Sequence, residues 1–242
     1  MKRHFFLFSV VFLATVFFTS CGSKCDKNDP SSDCYEKPCD KTDPLGDCYD
    51  PMSDPVLITD KGVVINGVKW ATRNIDAPGT FAATPESSGM FYQWNRKIGW
   101  STTDQMVNSD NGTAWDATNP EGTEWTAAND PCPAGWRVPT HSENISLLDT
   151  AKVNKIWTTH NDIGGILFTD KATGDTLFLP AAGYRNGSDG MLGNVGSNGY
   201  YWSSTQYTEN YAYYLKVSNN AAIADNAVCR YGRSVRAVSN VK

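Results

Sequence analysis

Histidine is scarce: the 242-residue chain has three, one of them His4 in the opening segment. No two histidines stand at i and i+4 and no cysteine pair flanks one, so zinc has no ligand framework. There is no G-x-S-x-G elbow and no glycine-rich phosphate loop, which removes two signatures of hydrolases and nucleotide enzymes. A Ser-His-Asp triad can still assemble from distant positions, so a secreted hydrolase stays as the last of three readings. Basic charge is also short. Lys and Arg number 21 against 26 Asp and Glu, for a net charge of −5. A nucleic-acid partner needs the opposite balance. After Phe18 no apolar run is long enough to span a bilayer.

The N-terminus is where apolar residues concentrate. Lys2, Arg3 and His4 precede an almost unbroken apolar stretch from Phe5 to Phe18. That length fits a signal-peptide h-region and is short for a membrane span. Phe18-Thr19-Ser20-Cys21-Gly22 resembles a bacterial lipobox. The resemblance implies a leader over residues 1–20 and lipid attachment at Cys21, with an ordinary secretory leader as the alternative. Stable anchoring takes at least two acyl chains at ~0.8 kcal/mol per buried methylene, which a lipoprotein anchor supplies. The expected place is the cell envelope, as an outer-membrane lipoprotein facing the surface. Ser23-Lys24-Cys25-Asp26 matches an acidic surface-export signal poorly, so the leaflet stays open. A Cys21→Ser chain is expected in the soluble fraction on cell fractionation; retention in the membrane contradicts the anchor.

Residues 21–54 read as a spacer. Within them CDKNDPSSDCYEKP is followed by CDKTDPLGDCYDPM, a tandem repeat of period 14. Aliphatic residues are nearly absent, so no core can form. Paired cysteines in an exported chain read as disulfides. Four allow three connectivities; Cys25–Cys34 and Cys39–Cys48 repeat with the sequence and are preferred. Each loop would contribute ~2–3 kcal/mol. Cys132 and Cys229 are left over, which points to a third bridge, although Cys132 could also pair with a spacer cysteine. Asp26, Asn28 and Asp33 offer oxygens for calcium, as do their repeats. The spacing lacks the central Gly and terminal Glu of an EF-hand loop, so a solvated acidic spacer is the preferred reading. No other cofactor is expected.

Residues 55–242 hold all eight tryptophans and read as one α+β, strand-dominated domain. Asn66-Gly67 between Val63–Ile65 and Val68–Trp70 is a hairpin signature. Gly164–Phe168 and Thr176–Leu179 read as paired strands, as do Tyr200–Ser203 and the alternating Ala212–Val217. Val228–Tyr231 and Ser234–Val238 complete the expected strands. Thr140-His141-Ser142-Glu143 is a capping box that predicts a helix over about His141–Asn154. A second short helix is expected near Ser87–Lys97. Residues 101–129 read as a long polar surface excursion.

Several blocks then resemble the Fibrobacter succinogenes major paralogous domain, a family of exported or surface lipoproteins. They are Trp70-Ala71-Thr72-Arg73-Asn74, Gly89-Met90-Phe91-Tyr92-Gln93-Trp94, and Asp130-Pro131-Cys132-Pro133-Ala134-Gly135-Trp136-Arg137-Val138-Pro139-Thr140. Leu179-Pro180-Ala181-Ala182-Gly183-Tyr184-Arg185, Tyr201-Trp202-Ser203-Ser204-Thr205 and Ser234-Val235-Arg236 follow in order. The helix start also resembles formylglycine-generating enzymes, which implies a C-type-lectin-like fold. That activity needs a reactive cysteine pair near the C-terminus, where only Cys229 stands. Calcium-dependent sugar-binding lectins carry a Glu-Pro-Asn or Gln-Pro-Asp loop followed by Trp-Asn-Asp, and this chain has neither.

What remains is a surface. Tyrosines and asparagines interleave between Tyr184 and Tyr231, a composition suited to glycan or protein recognition. Tyr207, Tyr211, Asn219, Asn220 and Asn226 are the surface candidates; Tyr201, Trp202, Tyr213 and Trp136 are expected in the core. Arg137 and Arg236 are expected to make structural hydrogen bonds rather than hold an anion. No catalytic residue is assigned. The expectation is a non-catalytic recognition or adhesion module, with a structural envelope component as the alternative.

Overall fold

The computed structural model describes residues 59–219 and 221–240. The leader, Cys21, the spacer cysteines Cys25, Cys34, Cys39 and Cys48, the calcium candidates Asp26, Asn28 and Asp33, and Asn220 lie outside the described residues.

Turn chemistry sets the first hairpin. Asn66 and Gly67 both take positive φ, 49° and 77°, as a type I′ turn requires. They join β1 (Val63–Ile65) to β2 (Val68–Trp70) with Ile65 opposite Val68. Next come β3 (Phe91–Tyr92), β4 (Gly99–Trp100), a 3-10 turn at Ala127–Asn129 and β5 (Trp136–Arg137). The helix α1 (His141–Ser146) is followed by β6 (Val153–His160), β7 (Ile163–Asp170) and β8 (Thr176–Pro180). Then come β9 (Tyr184–Arg185), β10 (Leu192–Gly193), β11 (Asn198–Thr208), β12 (Tyr211–Ser218), β13 (Ala222–Val228) and β14 (Val238–Ser239). The strands form sheets ordered β1-β2-β14-β5, β6-β7-β8 and β11-β12-β13, with two short pairs, β3-β4 and β9-β10. The domain is therefore α+β and strand-dominated, with one short helix among the described residues. None of those residues belongs to a helix long and apolar enough to cross a membrane.

The sheet β11-β12-β13 separates two apolar clusters. Alternation along β12 sends Ala212 and Tyr214 to one side and Leu215 and Val217 to the other, because successive side chains leave a strand on opposite faces. Tyr92, Trp94, Trp125 and Trp202 join Tyr214 in the first cluster. Trp70, Leu147, Phe168, Leu177 and Tyr201 join Leu215 in the second. Tyr201 and Trp202 are buried as expected, whereas Trp136 and Tyr213 are only partly so.

The capping box forms, and a guanidinium reinforces it. Thr140 Oγ1 accepts from the Glu143 amide at 3.2 Å, and the Thr140 amide donates to Glu143 Oε2 at 2.7 Å. Arg137 grips the same carboxylate through Nη1 at 2.8 Å and Nη2 at 2.6 Å. Desolvation works to raise the Glu143 carboxyl, but the Arg137 and Thr140 bonds outweigh it and hold the group below its ordinary 4.5. A depressed carboxyl contributes stability above the unfolded value and loses it as pH falls through the folded one. Glu143→Gln is expected to lower stability by about 2 kcal/mol at pH 7, the range of a charged hydrogen bond. It should also flatten the acid-side loss below pH 4.5, read by denaturant titration across pH. Superimposable acid profiles of the two proteins would contradict this.

The helix stops well before Asn154. The Ala151 amide turns back to Asp149 Oδ1 at 3.0 Å, an Asx turn that competes with further helix. Beyond it, Val153 to Thr159 is rich in β-branched and aromatic residues, favours extension and pairs with β7 along its whole length. The second expected helix is also absent: Phe91 and Tyr92 pair with Trp100 and Gly99. Asn95, at φ 53°, turns the chain between the two strands. The expected strand at Val228–Tyr231 is instead the end of β13 and a turn.

Candidate functional site

Four consecutive side chains after β3 clamp the polar excursion to the core. Gln93 Nε2 donates to Asp116 O at 2.7 Å and to Arg230 O at 2.8 Å. Trp94 Nε1 donates to Ser203 O at 2.9 Å, and its ring meets Trp125 edge-on at 5.9 Å. Asn95 donates to Glu121 O at 2.9 Å and accepts from the Thr126 amide at 2.9 Å. Arg96 pairs with Asp116 and donates to Thr118 Oγ1 at 2.9 Å. Trp125 is nearly buried. Residues 116–126 are thus an ordered wall, although the strand and helix signals in that stretch are nearly nil.

Opposite this wall stands the β11–β12 hairpin. Its turn is Glu209-Asn210, between the paired Thr208 and Tyr211. Asn210 takes φ 65°, and its carbonyl accepts from the Cys229 amide at 2.8 Å. The Cys229 carbonyl in turn accepts from the Trp94 amide at 2.9 Å. One residue, Cys229, therefore ties the hairpin turn to the clamp. Between wall and hairpin lies a groove of about 600 Å³, lined by Asn119, Pro120, Glu121, Gly122, Thr123, Gln206, Glu209 and Asn210. That volume suits a small ligand.

Tyr207 and Tyr211 flank the turn and are exposed, at 49% and 41%. Tyr207 meets Tyr213 edge-on at 5.1 Å, and Tyr213 stacks on His141 at 3.9 Å. Asn226 lies opposite Tyr213 in the β12–β13 register. The result is an aromatic strip of Tyr207, Tyr213 and His141 with an amide beside it. Desolvation holds His141 below its ordinary value, which favours the neutral ring. Asn219 does not join this group. It follows the far end of β12, roughly 25 Å from Tyr211 by the rise of a strand. His160, expected in a polar loop, closes β6 opposite Ile163 and contacts Glu86. The groove residues Asn119, Glu121, Gln206 and Glu209 were not singled out by sequence reasoning. The available signal was a turn dipeptide, Glu209-Asn210, between two tyrosines.

The expected bridge between Cys132 and Cys229 is not formed; both are free thiols. Cys132 follows Asp130, whose Oδ1 accepts the Cys132 amide at 2.9 Å, and Cys229 is fixed by its backbone bonds to Asn210 and Trp94. Burial pushes the Cys132 thiol well up, helped by the Asp130 carboxylate, and pushes Cys229 up to about 12. Neither is a thiolate near neutral pH, and the thiolate is the form that attacks disulfides or binds metals.

Three guanidiniums are buried without a carboxylate partner among the described residues: Arg185, Arg233 and Arg236. Arg236 donates to Asn74 Oδ1 at 2.9 Å and Ala71 O at 3.3 Å, the structural role expected of it. Burial brings it down to about 10. Arg185 bonds to Ser101 O, Thr103 O and Gly190 O, and so pins the start of the excursion. Arg233 lies over Tyr214 at 3.7 Å, with Trp202, Tyr200 and Tyr231 within 5.5 Å. A desolvated cation–π contact of this kind contributes about 2 kcal/mol. At 4% exposure Arg233 is a core cation rather than an anion receptor.

Among the described residues no three His, Cys, Asp or Glu side chains gather where a metal could be held. No match is found among curated proteins or among solved structures. Residues 138–238, which carry α1 and the Tyr207–Tyr211 hairpin but not the Gln93–Arg96 clamp or the 116–126 wall, are similar to a family described as Domain of unknown function (DUF8237).

Proposed function

We propose that the chain is a lipid-anchored cell-envelope protein whose domain is a non-catalytic recognition module for glycan or protein. Membrane attachment is through Cys21, and the domain is of C-type-lectin-like type, related to the Fibrobacter paralogous family whose blocks it resembles. The observation that carries the reading is the β11–β12 hairpin. It holds two exposed tyrosines on a turn tethered to the core and faces a groove with an ordered opposite wall. Exposed rings on rigid backbone give contact area at low entropic cost. Prior ordering of the wall lowers the cost of binding further.

Two further observations support the same reading. The two cysteines of the described domain are desolvated and held as thiols, which leaves them little nucleophilic chemistry. His141 is engaged in stacking, and His160 contacts Glu86 away from the groove residues. The test is a combined glycan and protein array probed with the purified full chain. Saturable binding to a restricted set of probes is expected. A blank array would contradict the recognition reading and favour a structural envelope role.

A further inference from the structure

Residues Val153–His160 contain no proline or glycine, and Lys155 is their one permanent charge. They form β6, which pairs with β7 at every position without a bulge and is the outer strand in the order β6-β7-β8. Which of its backbone groups look outward follows from β7. Gly164 O accepts from the Ala181 amide, and the Asp170 amide donates to Asp175 O, so these residues bond away from β6. Hydrogen bonding alternates along an antiparallel strand. Gly165, Leu167 and Thr169 therefore bond to Thr158, Ile156 and Asn154 of β6. Lys155, Trp157 and Thr159 keep N–H and C=O groups that point away from β7. None of these groups has a hydrogen-bond partner among the described residues. Other sheet edges are blunted. In β13 the Asn226 amide is taken by Asp225 Oδ1 at 2.8 Å, and the Val228 carbonyl by the Tyr231 amide at 3.2 Å. In β8 Pro180 has no N–H, and its carbonyl accepts from Tyr201 Oη at 2.5 Å. Of the usual protections of an edge, β6 has Lys155 alone.

We propose that β6 pairs antiparallel with β6 of a second copy of this chain, about a two-fold axis through Trp157 and perpendicular to the sheet. An open edge takes an extended strand, and this edge is complementary to itself. With Trp157 opposite Trp157, Lys155 of each copy stands opposite Thr159 of the other. Every outward donor and acceptor of the three residues then has a partner, and the lone charge meets a hydroxyl. Neighbouring registers do worse. An axis at Ile156 sets Thr159 against Val153, whose amide is already bonded to Asp149 O at 2.8 Å. An axis at Thr158 sets Lys155 against Asn161, a turn residue at φ 48°. An axis at Lys155 opposes like charges, which is destabilising. In the Trp157 register the two indoles become cross-strand neighbours, a favourable pairing. On the outer face Ile156, 62% exposed and opposite Leu167, comes to lie beside Thr158 of the other copy. The result is one continuous sheet, β8-β7-β6-β6-β7-β8, closed by an isologous contact. The proposal does not depend on the recognition reading.

The test is sedimentation equilibrium of the purified full chain carrying Cys21→Ser, in reductant, at concentrations up to about 0.5 mM. The serine removes the expected lipid, and the reductant prevents disulfides between copies. A reversible monomer–dimer equilibrium is expected, weak because a short edge contact lies at the low end of specific interfaces. Thr159→Pro should abolish the dimer, since proline cannot donate and is tolerated on the outward side of an edge strand. Thr159→Lys, at an exposed position, sets a lysine against Lys155 of the other copy at two symmetric places. It should weaken the dimer about fivefold. Adding Lys155→Glu to that variant should restore the affinity to within about twofold of wild type, a coupling that only cross-strand neighbours show. Should Thr159→Pro unfold at a lower temperature than wild type, the lysine variant and its restoration decide alone. A chain that stays monomeric throughout would overturn the proposal and leave the edge to a strand of another protein. A dimer indifferent to Thr159→Lys, or one that Lys155→Glu does not restore, would overturn it equally.

Discussion

Trp94→Ala is expected to cost about 3–5 kcal/mol of stability, the range for truncating a buried tryptophan. Trp94 has no exposed surface, donates to Ser203 O in β11 and packs on Trp125 in the excursion. Its removal acts in three ways. A cavity opens in the first apolar cluster, and a buried carbonyl on β11 loses its donor. The excursion also loses the ring on which Trp125 rests. Trp94→Phe separates these effects: it keeps most of the apolar contact but cannot donate, and should cost about 1–3 kcal/mol through the unpaired carbonyl. Denaturant unfolding gives the stabilities, and limited proteolysis within 101–129 reports the wall. Both should change in Trp94→Ala. A loss under 1 kcal/mol with an unchanged digestion pattern would show that the clamp does not hold the excursion.

The coupling of clamp, wall and hairpin explains why a chain with little regular structure in 101–129 can present a defined surface there. Order comes from side chains reaching backbone carbonyls rather than from sheet ladders. Asn95 alone satisfies Glu121 O and the Thr126 amide. Backbone groups that would otherwise need water or a ladder partner are met this way.

Local signals were legible in the sequence; long-range ones were not. Asn66-Gly67 requires positive φ at both positions, so the dipeptide itself specifies the turn. Thr140 and Glu143 satisfy each other within one helical turn, so the helix start reads directly. The helix end did not, because Leu147, Leu148 and Ala151 continue an apolar spacing that an Asx turn at Asp149 interrupts. Strand β6 was missed for the same reason: the helical pattern was carried past Val153 into β-branched residues. The clamp was visible only as a family-like block, Phe91-Tyr92-Gln93-Trp94. Its bonds reach from Gln93 to Arg230 and from Trp94 to Ser203, separations at which spacing carries no information. The groove depends on those same bonds, so Asn119 and Glu121 had no signal of their own. The exposed tyrosines did, since tyrosine beside a two-residue turn is poorly placed to enter a core. The bridge expected between Cys132 and Cys229 came from counting thiols; both are free, with Cys132 packed against the apolar cluster that contains Cys229.

The most direct test of the account is the affinity of Tyr207→Ala/Tyr211→Ala for the strongest array probe, measured beside wild type. Both rings are exposed, so the unfolding midpoint should stay within the usual spread of surface substitutions, about ±0.5 kcal/mol. Removal of paired aromatic anchors is worth about 2 kcal/mol of binding, roughly a 30-fold loss of affinity. That loss with unchanged stability is the predicted result. Affinity within twofold of wild type would contradict the assignment of the β11–β12 hairpin as the recognition surface.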